Sequence, residues 1–393
     1  MFAKRLVLAL ALIAVLIAAG CGQKEEAATT TEAGEEPYVI GAIFSTTGPA
    51  AALGVPERDT VEMLEKQIND AGGIDGHPID VVIYDDGCKP DQAVKACQEL
   101  LDNDKVLAII GPTLSGTSLA IVDSCGAAGM PLVSCAASAK IIEPVADRKY
   151  VFKTAQTDTL AVKKILSYLN EQGITKIAFI NDGNAFGQSG RGQWEALSKG
   201  AGITTLAMES FVTDDTDMTS QLTSIKAKNP EAVVCWGTDQ GSHQVARDMR
   251  KLGMKQPLIM SHGVANRAFI TSAGSAAEGV IFPSGKLIVA DQIPDDDPQK
   301  EVLIKYRDDY IAEYSEDKLS TFGGHAWDAF MVTVKALEEA GADHEKIRDA
   351  VENTTDFVGI TGVFSFSDSD HGGLTEDAFV MVTIKNGDWV LAQ

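Results

Sequence analysis

The sequence predicts an α/β protein of two doubly wound, Rossmann-like lobes joined by a multi-strand hinge. Three observations carry that expectation. Short apolar runs of strand length alternate with stretches of helical periodicity, the pattern of parallel βαβ units with right-handed crossovers. The alternation restarts near Tyr150 in a second series of similar length. The segment Tyr38 to Gln393 holds 356 residues, and at roughly 100–200 residues per domain two domains are expected.

Taken in order, Tyr38–Phe44 is an apolar run that stops at the loop signal Ser45-Thr46-Thr47-Gly48-Pro49. A helix over about Val55 to Asn69 places Val61, Leu64 and Ile68 on one face and ends at Gly72-Gly73. Strand Ile79–Tyr84, helix Gln92–Leu101, strand Val106–Ile110, a helix near Ser115–Ala127 and strand Pro131–Ser134 follow. The second series opens with Tyr150–Lys153. Helix Leu160–Asn170 carries the stripe Val162, Ile165, Leu166, Leu169, with Gly173 as its C-cap. Strands Lys176–Ile180, Ala232–Trp236 and Pro257–Met260 alternate with helices near Ser189–Lys199, Met218–Lys228 and Ser242–Leu252. Ile281–Ala290 and helices Lys300–Tyr314 and Phe322–Ala340 then extend one lobe after the other is complete. The expected division is 37–156 and 285–375 for lobe 1, and 157–284 and 376–393 for lobe 2.

Residues 1–20 are expected to be a signal peptide. Lys4 and Arg5 precede the uncharged run Leu6–Ala19, whose fourteen residues fall short of the ~20 that span a bilayer. Small residues follow, then Cys21, in the arrangement of a lipobox whose thiol is acylated. Residues 21–36, rich in Ala, Thr and Glu, read as a solvated, lipid-anchored tether. The protein is therefore expected to be exported and held on the periplasmic or extracytoplasmic face of a membrane.

Without Lys4 and Arg5, 31 basic residues stand against 56 acidic ones, a net charge of −25. So acidic a surface repels phosphate backbones and excludes nucleic acid as an expected partner. The remaining cysteines, Cys88, Cys97, Cys125, Cys135 and Cys235, form no CxxC pair. Buried thiols and bridges are both open to them. Cys97 and Cys125 fall at similar depth on consecutive helices, so a bridge there, with Cys88 to Cys135, is one expectation.

Open α/β sheets bind ligands beyond the carboxyl ends of their strands. Two strand-to-helix loops stand out there. Gly111–Ser118 presents hydroxyls and backbone N–H groups at a helix N-terminus, which suits an anion such as a carboxylate. Ser134–Ala139 has small side chains that permit close backbone approach, and Ser138 adds a donor. Ordinary N-capping is the competing account of both loops. His262 follows a strand and so sits at a carboxyl end. Enzymatic signatures are absent: no GxSxG, Walker A, GxGxxG after a strand, or HExxH. The runs Asp214-Asp215-Thr216-Asp217 and Asp295-Asp296-Asp297 lack calcium-loop spacing. Neither cofactor nor metal is expected, and the chain is not expected to be an enzyme.

The chain resembles the leucine/isoleucine/valine-binding proteins of branched-chain amino-acid ABC transporters, of the type I periplasmic-binding-protein fold. The resemblance spans Tyr38–Gln393. It rests on Gly48-Pro49, on Asn69–Ile74 followed by Tyr84–Cys88, on the two loops above, and on Ala185-Phe186-Gly187, Ala277–Val280 and Phe322–Ala329. It implies carboxylate contacts at Ser115, Ala136 and Ser138, and aromatic walls at Phe186 and Phe322. Leu53 stands where the family carries a tryptophan. His262 stands where it carries the acid that pairs with the ligand ammonium. Asp239 is the nearby carboxylate able to replace it, and if it does not, the ligand lacks an amino group. Leu114 replaces the family's disulfide partner of Cys88. The partners implied are a small-molecule ligand, ABC permease and ATPase subunits, and the membrane through the lipid anchor, with the protein itself a monomer. The alternatives are a binding protein for an aromatic or aliphatic monocarboxylate and a ligand-sensing receptor domain.

Overall fold

The structure, a computed structural model, describes residues 35–103 and 105–392, the side chains of Asp239 and Gln240 excepted. The expected signal peptide, Cys21 and most of the tether lie outside the described residues. The first series runs β1 (Tyr38–Phe44), α1 (Ala51–Asp70), β2 (Ile79–Asp85), α2 (Pro90–Leu101), β3 (Val106–Ile110), α3 (Ser115–Ala128), β4 (Leu132–Ser134) and β5 (Val151–Lys153). Its strands form a five-stranded sheet in the order β2-β1-β3-β4-β5, parallel throughout.

Strand β1 shows why such a sheet must be covered on both faces. Ile40, Ala42 and Phe44 enter one core with Val61 and Leu64 of α1. Val39 and Ile43 enter another with Cys97 and Leu100 of α2 and Ile121 and Cys125 of α3. Successive side chains point to opposite faces, so a continuous apolar run needs helices on each side.

The second series runs α4 (Asp158–Glu171), β6 (Lys176–Asp182), α5 (Ala185–Leu197), β7 (Thr204–Phe211), α6 (Thr219–Ala227), β8 (Ala232–Trp236), α7 (Asp239–Lys251), β9 (Leu258–Met260), α8 (Arg267–Ala273) and β10 (Ile281–Ser284). It is followed by α9 (Lys300–Glu313), α10 (Thr321–Ala340), α11 (His344–Glu352), the short pair β11 (Phe357–Val358) and β12 (Val363–Phe364), then β13 (Val380–Lys385) and β14 (Asp388–Leu391). The seven-stranded sheet has the order β14-β13-β10-β9-β8-β6-β7, with β13 and β14 antiparallel to their neighbours. In β6, Ala178 and Ile180 join the core on one face, Ile177 and Phe179 that on the other.

Connectivity ties the sheets together. Ala326, Ala329 and Phe330 of α10 pack in the core that holds β1, whereas β13 pairs with β10. The chain therefore crosses between lobes after β5, after β10 and before β13. Gln156, on the first crossing, donates from Nε2 to the carbonyls of Thr361 and Ala378, at 3.2 and 3.4 Å. One amide thus links the first crossing to the last.

The structure departs from the sequence reading in several elements. Helix α1 begins at Ala51 and α5 at Ala185, each earlier than the apolar stripes indicated. In α5 the side chain of Asn184 caps the start by accepting from the Gly187 N–H at 2.9 Å. Strand β7 was not expected, because Thr204–Phe211 is a half-buried strand at the sheet edge with mixed polar residues. Ile281–Ala290 divides into β10 and a 3-10 turn beginning at Lys286. Among the described residues the five cysteines are all free. The Cys97 and Cys125 sulfurs do meet, at 3.7 Å between α2 and α3, but without a bond. Cys88 instead faces the β1–α1 loop, donating to the Thr47 carbonyl at 3.2 Å.

Candidate functional site

Loops at the carboxyl ends of both sheets converge on a cleft. Its wider part, about 410 Å³, is lined by Pro49, Ala50, Pro90 and Leu114 from one side and by Ala185, Phe186, Thr213 and Asp214 from the other. A deeper recess of about 30 Å³ adjoins it, sharing Leu114, Ser115, Phe186 and Thr238. That is room for one or two water-sized groups.

The recess brings together most of the residues singled out from sequence. Leu53, Ser115, Ala136, Phe186, His262 and Phe322 all line it. Leu53 reaches it because α1 runs directly against the loop after β1: a Cβ on Gly54 would lie 2.2 Å from the Ser45 carbonyl oxygen. Ser115 is the first residue of α3, whose N-terminal N–H groups favour negative charge. Its hydroxyl oxygen accepts from the Ser138 N–H at 3.3 Å, which leaves its own proton to donate. The Ala136 N–H donates to the Ser134 hydroxyl at 3.2 Å.

Two expected residues stand differently. The Ser138 hydroxyl donates to that of Ser189 at 2.8 Å, so it bridges α5 and the loop after β4. Asp239 opens α7, but its side chain lies outside the described residues. Thr238, immediately before it, lines both cavities.

Three residues escaped the sequence reading. His325 lines the recess, one turn along α10 from Phe322; that i, i+3 spacing on a helix was the available signal. Cys135 lines it too. Lys153, wholly buried at the end of β5, donates through Nζ to the Ala155 carbonyl.

Burial dominates the electrostatics. Desolvation, followed by the Lys153 charge, pushes the His262 imidazole down to about 3. Desolvation likewise takes His325 to about 3, with His262 and Lys153 contributing. Both rings are therefore neutral at physiological pH. Burial lowers Lys153 to about 8, against the attraction of Asp158. It raises Asp158 to about 7, partly offset by the Ser189 hydroxyl and by Lys153. Among the described residues, no group of three or more His, Cys, Asp or Glu side chains could hold a metal ion. None of the described helices is long and apolar enough to cross a membrane.

Two doubly wound lobes, with a ligand-sized cleft where their strand ends meet, define a bilobal binding receptor. The chain belongs to the periplasmic binding protein family, whose profile matches residues 37–388. It is 27% identical over 324 residues to the leucine-, isoleucine-, valine-, threonine- and alanine-binding protein of Pseudomonas aeruginosa, covering 82% of this chain and 83% of that protein. It is 26% identical to the Leu/Ile/Val-binding protein of Escherichia coli, over 67% of this chain and 71% of the relative. An extracellular ligand-binding receptor from Rhodopseudomonas palustris superposes with a TM-score of 0.84 at 28% identity, covering 91% of this chain and 100% of that one. The branched-chain amino acid transporter substrate-binding protein LivJ of Streptococcus pneumoniae, solved with isoleucine, gives 0.80 at 27% identity over 91% and 99%.

Proposed function

We propose that the chain is an extracytoplasmic solute-binding lipoprotein of an ABC importer, which captures a small hydrophobic carboxylate of the branched-chain amino-acid type by closing its lobes. The observation that carries this reading is the recess itself: Ser115 and Ala136 from one sheet face Phe186, Thr238 and His262 from the other. Pro49, Ala50, Pro90, Leu114, Ala185 and Phe186 give the wider cleft an apolar share of its wall, and the names of the relatives support an amino-acid ligand. The lobes divide at 37–156 with 285–375, and 157–284 with 376–393. Ser115 holds the ligand carboxylate beside the loop of Ala136 and Ser138; Phe186, Phe322 and Leu53 wall its apolar part, and Asp239 pairs with its ammonium. The protein works as a monomeric carrier that delivers its ligand to a permease and ATPase.

A thermal-shift panel of the common amino acids, benzoates and short fatty acids tests this, because specific ligands raise apparent stability by mass action. Carboxylates are expected to raise Tm, and the best of them to shrink the radius of gyration as the lobes close. A panel without a stabilising carboxylate, or scattering unchanged at saturation, removes the reading.

A second reading has an observation of its own. His262 is neutral and buried, and a neutral imidazole gives a ligand ammonium no counter-charge. An amino-free aromatic or aliphatic monocarboxylate fits that wall, and fatty acids or benzoates outranking amino acids in the same panel would select it.

Anchoring at Cys21 follows from the charged start, the short apolar run and the small residues before the thiol. Replacing Cys21 with Ser is expected to leave unprocessed, unlipidated precursor; normal lipidation of that variant would contradict the anchor.

A further inference from the structure

Two histidines from different elements share the recess. His262 lies in the turn after β9, His325 on α10. They are 6% and 3% exposed, and neither ring nitrogen of either has a hydrogen-bond partner. Aromatic rings crowd both. Phe186, Trp236 and Phe379 stand edge to face around His262 at centroid distances of 5.4, 5.9 and 5.5 Å. Phe322 stands against His325 at 5.5 Å.

Buried polar atoms are nearly always paired, and each one left unpaired is costly. A neutral imidazole carries one N–H donor and one bare acceptor. Whichever tautomers are present, the pair therefore aims two donors and two acceptors at its surroundings. Both rings line the recess, so the missing partner belongs to whatever occupies it. A purely aliphatic occupant would leave all four nitrogens unpaired. An ammonium could satisfy the acceptors only, and would sit in the field of Lys153, whose charge both imidazoles feel. A hydroxyl or carbonyl oxygen takes the donors, and a hydroxyl also gives to an acceptor. Ser115 lines the same recess of about 30 Å³. The group that meets the imidazoles is therefore close, along the ligand, to a carboxylate held at Ser115.

We propose that His262 and His325 jointly hydrogen-bond a hydroxyl or carbonyl oxygen that the ligand carries one or two carbons from its carboxylate. The cognate ligands are then hydroxy- or oxo-substituted carboxylic acids, and the two histidines are the residues that select them. This rests on the carboxylate-capture reading above but reaches beyond it, since neither the amino-acid nor the amino-free version requires a second oxygen.

Calorimetric titration of the mature protein with ligands matched except for that oxygen tests it. Threonine against valine is one pair. α-Hydroxyisovalerate and α-oxoisovalerate, each against isovalerate, are the others. The oxygen-bearing member of at least one pair is expected to bind about 30-fold tighter or better, the effect of two donors regaining partners. His262→Phe and His325→Phe keep the ring volume and are expected to erase that preference, bringing the two members of each pair to within about 3-fold of one another. Equal affinities within every pair of the parent protein would overturn the proposal while leaving carboxylate capture intact. So would histidine variants that weaken both members alike, since the imidazoles would then hold the carboxylate itself. Failure of every acid to bind would overturn both.

Discussion

Lys153→Met is expected to lower the free energy of unfolding by about 1–3 kcal/mol, because it leaves the buried Ala155 carbonyl that Nζ meets unpaired and strips Asp158 of an attracting charge. Lys153 ends β5 and Asp158 opens α4, so the two charges flank the first crossing between lobes. Both are wholly buried, and burial has brought them to about 8 and about 7. The loss depends on pH with a sign that follows from linkage. A carboxyl raised to about 7 binds more protons in the folded than in the unfolded chain. Its contribution is therefore greatest in acid and is lost as pH rises through 7. Removing Lys153 takes away an attraction that lowers Asp158, so its pKa rises above 7 and the penalty grows as pH rises through 7, where the parental carboxyl ionises in the folded chain and the variant's does not. Denaturant unfolding at several pH values checks this. Lys153→Met combined with Asp158→Asn is expected to recover part of the loss, as partners in one network do. A single variant that is pH-independent and near parental stability would show that the pair is not coupled.

Ser115→Ala is expected to weaken every carboxylate ligand of the protein, whatever its side chain. The hydroxyl is buried, accepts from the Ser138 N–H and keeps its proton for the ligand. A donor to a charged acceptor contributes about 1.5–3 kcal/mol, or roughly 10- to 150-fold in Kd at 1.4 kcal/mol per decade. Asp239→Asn gives the contrast. It is expected to abolish only ligands that carry an ammonium, since neutralising the counter-ion leaves that charge buried alone. Titrating both variants with one amino acid and one amino-free acid separates these effects. Undiminished binding in Ser115→Ala would move the carboxylate elsewhere in the cleft.

Much of the fold was legible because the buried strands carry unbroken apolar runs and the helices carry stripes. Val106–Ile110 and Ala232–Trp236 are fully buried and were placed at their observed bounds. Helix α10 differed by one residue at its start. Strand β7 was missed for the converse reason: a half-buried edge strand lacks a clean period. The starts of α1 and α5 are set by the preceding loops rather than by apolar spacing, so the stripes placed them late.

The site divides in the same way. Strand ends mark where ligands bind in an open α/β sheet, which made Ser115, Ala136 and His262 findable. The i, i+3 spacing from Phe322 is all that sets His325 apart locally. Its unpaired ring matters only once α10 returns to the first lobe and sets it in the same recess as His262. Ser138 shows the opposite limit. Its position was evident, but the turn of its hydroxyl toward Ser189 depends on α5, fifty residues on.

The central claim is that the protein recognises a carboxylate at the loops after β3 and β4. The direct test is calorimetric titration with the acid that stabilises it most and with the primary amide of that same acid. The two differ in charge and in one acceptor, and hardly in shape. The account predicts an amide Kd at least about 100-fold higher, since a neutral group forfeits charge-assisted bonds and the helix N-terminus. An amide that binds as tightly as its acid would contradict it.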